Sequence, residues 1–456
     1  MDIEVVKNLI KKHTINHSNV LNKFKKAERY YRNENDILFY TRKKFDETEN
    51  PLRNADNRIS SNFHGLLVNQ KASYMFTAPP LFDVGNNTAN KRITDVLGDT
   101  YSKVCKDLCI NASNCGIAWL HYWINAEGQF QYNVVDSKQI VPIWSSNLNQ
   151  TLLGLLRVYT DVDENDGEVY DVYEYWTDKE CHAYRKKSVE TIEAGLRPYA
   201  MFSSFLVDTN ITELSNEYQH GFERVPFIAF RNNNILTSDL DNIKPLIDVY
   251  DKVFSGFVND LEDIQEIIFI LTNYEGENLG EFLTQLKKYK TIKVEDNGGS
   301  DKSGLDTLSI DIPVEARKEL LTTTRKSIFE QGQGVDPQQQ DFGNASGVAL
   351  KFLYSLLELK AGLTETEFKL GFGEFIRAVC KHHNIECKSV IQTWTRTAVT
   401  NDTDLAAICT SSVGVISNKT ILKNHPFVED ADAEEKQIKK ENQEQDNADY
   451  ISNNEE

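Results

Sequence analysis

With 456 residues and 40% hydrophobic content, the chain can bury a sizeable core and has room for about three domains, which excludes a small disulfide-stapled scaffold. Its 50 basic and 69 acidic residues leave a net charge of -19. That argues against tight, static duplex binding, which gains affinity by neutralising phosphates, but not against a protein that lets a duplex slide, since an acidic wall keeps phosphate contacts few.

Seven cysteines, Cys105, Cys109, Cys115, Cys181, Cys380, Cys387 and Cys409, show no paired spacing, so a reducing setting for folding is expected. The segment MDIEVVKNLIKKH lacks the apolar run and cleavage site of a signal peptide. No stretch approaches the roughly 18 uncharged apolar residues of a membrane span, and a soluble, cytoplasmic protein is expected.

In chain order, the first predicted element is a helix near Val20–Tyr31, with Val20, Phe24, Ala27 and Tyr31 at helical spacing and Lys23, Lys25, Lys26, Arg29 and Arg32 on a solvated face. From Ile117 to Phe230 the texture turns to β. Short aromatic and β-branched runs at 117–123, 130–135, 152–159, 169–176 and 181–184 predict an antiparallel sheet with one face on helices. A long helix over Ser238–Phe269 follows, with Ser238 as its cap and Pro245 in its first turns. Its eight carboxylates face only Lys244 and Lys252.

The segment Leu271–Ile312 reads as a compact insert: a helix near 281–289, strands 291–295 and 307–312, and a Gly298-Gly299 turn between them. A second helix, Val314–Gln331, brings the chain back, so the insert projects from the tip of a helix pair. Gly332–Asn344, GQGVDPQQQDFGN, is a loop by composition. Ser346–His383 reads as one helix of about 57 Å, with Gly362, Gly371 and Gly373 as candidate kinks. Leu356, Leu357, Leu363, Phe368, Phe372, Phe375, Ile376 and Val379 are among its apolar positions. A strand over Ser389–Ala398 and short helices over Asp402–Asn424 come next. The acidic tail Glu429–Glu456 is expected to be disordered at its end.

No G-x-x-x-x-G-K-[ST] loop is present, so the sequence has no Walker-type grip on ATP. Gly332 and Gly334 lack a third glycine and follow a helix, which argues against a dinucleotide site. In Gly343–Gly347, GNASG, Ser346 sits one place late for a nucleophile elbow, and a helix cap is the simpler reading. Cys380, His382, His383 and Cys387 have metal-ligand types, but at a helix end they point in different directions. Asp241, Asp248, Asp260 and Asp263 cannot all face one cation from a single helix, so a two-metal nuclease is disfavoured. No catalytic residue, metal or cofactor is expected.

The runs NRISSNFHGLLVNQKASYMFTAPP (Asn57–Pro80), HGFERVPFIAFRNN (His220–Asn233), SDLDNIKPLIDVYDKVFSGFVNDLEDIQE (Ser238–Glu266) and NASGVALKFLYSLLELKA (Asn344–Ala361) resemble the portal proteins of siphophages infecting Gram-positive bacteria, the SPP1-like portal family. The resemblance implies an α+β portal-type fold assembled as a ring of about a dozen copies at one capsid vertex. It implies an α/β wing over 1–236, stem helices over 237–270 and 313–331, and a small α/β clip over 271–312. A tunnel loop over 332–345, a long bridging helix over 346–384, a wing strand over 385–400 and a crown with acidic tail over 401–456 complete the assignment.

On that reading Asp248, Asp251, Asp260, Glu262, Asp263 and Glu266 line the stem with negative charge. Gln333, Gln338, Gln339, Gln340 and Asn344 touch duplex DNA weakly, because amides bond phosphate oxygens without the counterion-release contribution. Lys287, Lys288 and Lys290 are candidate docking charges on the clip, although a solvated helix end explains them as simply. Expected partners are other copies of the chain, double-stranded DNA, the terminase large subunit, head-completion adaptors, and major capsid and scaffolding proteins. The expected location is the virion, after assembly in the host cytoplasm. The alternatives are a neck or minor capsid ring protein without a packaging role, or a metal-dependent nuclease.

Overall fold

The computed structural model describes residues 3–14, 17–40, 55–206, 211–263, 268–272, 304–308, 313–338, 352–396, 402–428 and 430–452. They form a mixed helix and sheet fold of two compact units. One is built from residues 1–25, 67–239 and 333–456, the other from 26–66 and 240–332.

In the first unit, helix α1 (Ile3–Thr14) precedes α2 (His17–Tyr31), whose later residues belong to the second unit, as do the first residues of α3 (Phe63–Met75). Strand β1 (Leu81–Asp83), α4 (Asn87–Leu97) and α5 (Tyr101–Cys115) lead into the sheet region. There the five expected strands appear, β3 and β6 with the expected bounds and the others longer, with β4 in addition: β2 (Ile117–Ile124), β3 (Phe130–Val135), β4 (Ile140–Trp144), β5 (Leu152–Val162), β6 (Val169–Trp176) and β7 (Glu180–Lys187). The one-turn helix α6 (Ile192–Gly195) is followed by β8 (Arg197–Pro198), β9 (Phe202–Leu206), β10 (Ile211–Ser215), β11 (Glu217–Gln219) and β12 (Phe227–Arg231).

These strands do not make the single sheet expected. One antiparallel sheet has the order β12-β2-β3, and a second has the order β11-β7-β6-β5-β4 with β8 also on β7. Strand β2 is buried on both faces, and its period-2 alternation explains how. Ala118, Leu120 and Tyr122 enter a core with Phe230, Phe368 and Phe372, while Ile117 and Trp119 pack with Leu155, Trp176 and Phe227. Helix α1 closes another cluster by placing Val6 and Ile10 with Val141, Leu156 and Tyr184. All seven cysteines are free, and six are buried.

In the second unit the acidic helix starts at Lys244, not at Ser238. It is α7 (Lys244–Asp263), with Pro245 in the first turn, where a missing N–H costs nothing. Residues 239–243 form turns because Asp239 is drawn into the ion cluster described below. Ile268 and Phe269, expected to be helical, lie in β13 (Ile268–Thr272), which pairs antiparallel with β14 (Gly304–Leu308), so the strand expected at 307–312 begins earlier, and 309–312 lie outside the described residues. Helix α8 (Val314–Gly332) packs along α7. The helix expected near 281–289 and the strand 291–295 lie outside the described residues.

The long helix is α9 (Ser355–His382), 28 residues or about 42 Å, unbroken at Gly362, Gly371 and Gly373. Gly371 serves contact and not bending: a Cβ there would lie 2.8 Å from the Phe230 ring. Among the described residues of the strand expected over Ser389–Ala398, Ile391–Thr393 form a strand, β15, which pairs antiparallel with β1. Helices α10 (Asp402–Ser411) and α11 (Asn418–Asn424) fall where expected.

In the acidic tail α12 (Ala431–Ser452) takes up most of the described residues, and the end expected to be disordered, 453–456, lies outside them. Asp430 caps the helix by accepting from the backbone of Asp432 and Ala433, and Glu435–Lys439 pairs across one turn. At the N-terminal end, α2 buries Ala27 and Tyr30 and leaves Val20 exposed, so its stripe is rotated from the expected one.

Candidate functional site

The helix pair of the second unit is tied down by its own acidic residues. Asp251 is buried on α7, where Asn35 Nδ2 donates to it at 2.6 Å and the Ser61 backbone N–H at 3.0 Å. No cation among the described residues compensates it, and burial, helped by nearby Asp248, pushes its carboxyl up to about 6 despite those donors. Asp248 receives Lys244 Nζ at 2.6 Å and the Tyr30 hydroxyl. Lys244 also reaches Asp36 at 2.8 Å, which Arg29 pairs from the other side. Further along, Arg317 of α8 pairs with Asp260, and Asn57 donates to Glu262. Phe63 meets Tyr250 edge-on at 4.9 Å and Phe329 at 6.0 Å, with the Arg325 guanidinium over both Phe63 and Phe329.

In the first unit a different carboxylate is buried. Asp239 accepts from Lys360 Nζ at 3.0 Å, Lys71 Nζ at 3.3 Å and Asn232 Nδ2 at 2.8 Å, and Lys71 also donates to Asn232 Oδ1 at 2.5 Å. Burial alone would raise the Asp239 carboxyl, but the two ammonium groups hold it well below the ordinary carboxylate range. Burial and repulsion from Lys71 lower the pKa of Lys360 in turn. The turn that presents Asp239 is fixed from outside: its N–H donates to Ser113 O at 2.8 Å, and Asn232 N–H donates to Gly116 O at 2.9 Å. Gly116 is required there twice over, by a φ of +74° and because a Cβ would lie 2.2 Å from Leu236 O.

Where α8 ends, Gln333 takes a φ of +53°. The next residues dock on α3. Gln70 clamps Val335 with both ends of its amide, accepting from its N–H at 3.1 Å and donating to its carbonyl at 2.7 Å. Gly334 sits so close that a Cβ would lie 2.1 Å from Leu67 Cδ2. Gln338 N–H then closes an Asx turn onto Asp336 at 3.0 Å. On α9, Arg396 bridges Glu358 and Glu365, and Tyr74 donates to Glu358 at 2.6 Å.

Residues 10–448 match the family described as "Phage portal protein, SPP1 Gp6-like". The portal protein of Clostridium phage phiCD119 is 44% identical over 450 residues, covering 96% of this chain and 95% of that protein. The chain belongs to the SPP1-like portal family. The portal protein of Bacillus phage SPP1 is 31% identical over 430 residues, covering 91% of this chain and 83% of the relative. A chain of the solved virion of a native gene transfer agent particle is similar at a TM-score of 0.44 and 10% identity, covering 78% of this chain and 88% of that one.

For this portal chain, the residues singled out in the sequence separate into three groups. Asp248, Asp251 and Asp260 are engaged within the second unit: Asp251 faces inward, which corrects its expected place on the stem surface, whereas Asp248 and Asp260 are paired and partly exposed. Glu262 stays exposed, Asp263 ends α7, and Gln333 and Gln338 stand at the start of the anchored loop. Glu266, Lys287, Lys288, Lys290, Gln339, Gln340 and Asn344 lie outside the described residues. Cys380 is buried beside Cys387, while the His382 ring packs against Phe130 and His383. Among the described residues, no group of three or more His, Cys, Asp or Glu side chains could hold a metal ion, and no helix is long and apolar enough to cross a membrane.

Sequence reasoning missed Lys71, Asn232, Lys360, Asn35 and Gln70. Only Lys71 carried a local signal, a lone cation in the apolar run of α3.

Proposed function

We propose that about twelve copies of this chain form a ring at one capsid vertex, the channel through which duplex DNA enters the capsid during packaging and leaves at ejection. One observation carries the reading: the portal family covers residues 10–448, and a phage portal protein matches at 44% identity over almost the full length of both chains. In this reading the subunit is a structural component without chemistry of its own. It docks the terminase large subunit during filling and head-completion adaptors afterwards, and its wing meets major capsid and scaffolding proteins.

The loop that begins at Gln333 approaches the DNA with Gln338, Gln339, Gln340 and Asn344. Its anchored root supports this role, because a loop that must follow a moving duplex needs a fixed base, and the Gln70 clamp on Val335 provides one. The channel's negative field rests on fewer carboxylates than composition suggests, with Glu262, Asp263 and Glu266 as its carriers near the end of α7. Lys287, Lys288 and Lys290 are the docking charges for the motor.

Electron micrographs of the purified chain test the ring: particles with a central opening, of about 625 kDa for twelve copies of 52.1 kDa, are expected. Compact single particles without an opening would refute it. A packaging assay with the terminase then separates a portal from a neck ring, since only the portal supports ATP-driven filling. Deleting Gln338–Gln340 is expected to impair packaging or DNA retention, and unchanged behaviour in both would remove the loop from this role.

A further inference from the structure

Helix α9 has two apolar seams, and the chain's own fold covers one of them. Leu357, Ala361, Thr364, Phe368, Phe372 and Val379 are buried. Leu356, Leu359, Leu363 and Leu370, with Phe352 just before the helix, remain 38, 55, 62, 71 and 80% exposed. At about 100° per residue the two seams lie on nearly opposite sides. Positions 352, 356, 359, 363, 366 and 370 are separated alternately by four and three residues, the rhythm that keeps a seam turned toward a partner helix. Exposed Thr366 fills the remaining place, and none of the six is charged.

A second observation points to a close neighbour. Gly362 lies inside α9 beside this seam, where glycine weakens a helix, yet a Cβ there would meet nothing within 4 Å and its φ is not positive. Gly371 is explained by the Phe230 ring pressed against it. Gly362 has no such reason among the described residues, and the missing side chain leaves room for another backbone to approach.

We propose that the outer seam of α9 is the surface by which one copy of the chain packs against the next. The inference rests on the ring reading above and assigns part of the ring interface to named residues. Five side chains this exposed present on the order of 500 Å² of apolar surface, the size of patch that marks an interaction site. That is a large share of the roughly 800 Å² each partner contributes to a standard interface. Charge selects the occupant. Copies that each carry -19 repel one another, so a contact between them must gain its free energy from apolar burial. A seam with no cation and one hydroxyl offers DNA nothing to neutralise its phosphates.

The test is mass photometry of the purified full-length chain across a concentration series, beside Leu359→Glu/Leu363→Glu and Gly362→Gln. The parent chain is expected to form the ring, and both variants to require at least tenfold higher concentration to do so. Gly362→Gln is expected to raise the thermal midpoint of the single copy while weakening assembly, because glutamine is the better helix former. That opposition separates a lost interface from a lost fold, and it decides the matter if the double variant does not fold. If the parent assembles and Gly362→Gln, or a folded double variant, assembles at the parent's concentration, the seam assignment alone is overturned. If the parent is itself a single copy, the ring reading falls and the seam with it.

Discussion

Each unit holds an aspartate away from water, Asp239 in the first and Asp251 in the second, and the two are stabilised in opposite ways. Asp239 in the first unit faces two ammonium groups and an amide, and its carboxyl is held far below the ordinary value. Asp251 in the second unit faces an amide and a backbone N–H but, among the described residues, no cation, and its carboxyl rises to about 6. Hydrogen bonds from neutral donors therefore offset only part of the cost of removing a carboxylate from water, whereas cations at 3 Å reverse it. Asp239 acts as a fixed structural tie, and Asp251 as a group whose protonation near neutral pH changes how firmly α7 is held.

The largest break in this comparison is Asp239→Asn, which leaves Lys71 and Lys360 buried with no anion between them. Removing one partner of a buried ion pair costs about 3–5 kcal/mol, and that loss is expected here in urea unfolding followed by tryptophan fluorescence. All five tryptophans belong to the first unit, so the signal reports on it. A change within the error of the parent would show that the cluster does not tie the turn to α3 and α9. The corresponding cut in the second unit, Asn35→Ala, is expected to cost less, about 1–3 kcal/mol, since it removes one neutral donor from Asp251. Faster amide hydrogen exchange in α7, without a change in the first unit, would register it.

How much of this was legible in the sequence follows the range of the interactions. Four of the five strands from Ile117 to Trp176 were readable because β-branched and aromatic runs alternate on a local period, and Ile140–Trp144 was missed. The pairing of Leu81–Asp83 with Ile391–Thr393 was not, since three-residue strands some 300 residues apart leave no local trace. The start of α7 was misplaced for the same reason. Ser238 is a good cap by type, but Lys71 and Lys360, distant in sequence, draw Asp239 away from a helical course. Asp251 was counted as one more surface acid although a helical signal was available. Ile247 and Ser255, one turn to either side, are both buried, so position 251 lies on an inward stripe. The start of the loop, residues 333–338, was recognisable by composition, but its clamp on Gln70 depends on contacts that composition does not record.

The next test sharpens the comparison by pH. An unfolded carboxylate titrates near 3.8 and Asp251 near 6, so its ionised form destabilises the fold above pH 6. That penalty is relieved as pH falls from 6 toward 3.8, because the folded chain takes up a proton that the unfolded chain does not. Asp251→Asn removes this titration. The stability of the parent relative to the variant is therefore expected to rise by about 1 kcal/mol between pH 7 and pH 5, read from exchange of the α7 amides. A difference that stays flat or falls over that window would place the Asp251 titration elsewhere.

The smallest effect is expected from Lys360→Met, and it tests whether Asp239 needs both cations. Lys360 is itself disfavoured where it stands, through burial and the charge of Lys71. Methionine keeps most of its length and apolar stem without an ammonium to desolvate. Asp239 retains Lys71 at 3.3 Å and Asn232 at 2.8 Å, so its charge stays compensated and the residual excess of positive charge disappears. The two contributions oppose each other, and a net change within about 1 kcal/mol is expected in the same urea titration. Lys71→Met should cost more, because it also strips the 2.5 Å bond to Asn232 Oδ1, the group that holds the Asn232 amide toward Asp239. If the order were reversed, with Lys360→Met the more damaging, the principal partner of the carboxylate would be the cation on α9 and not the one on α3.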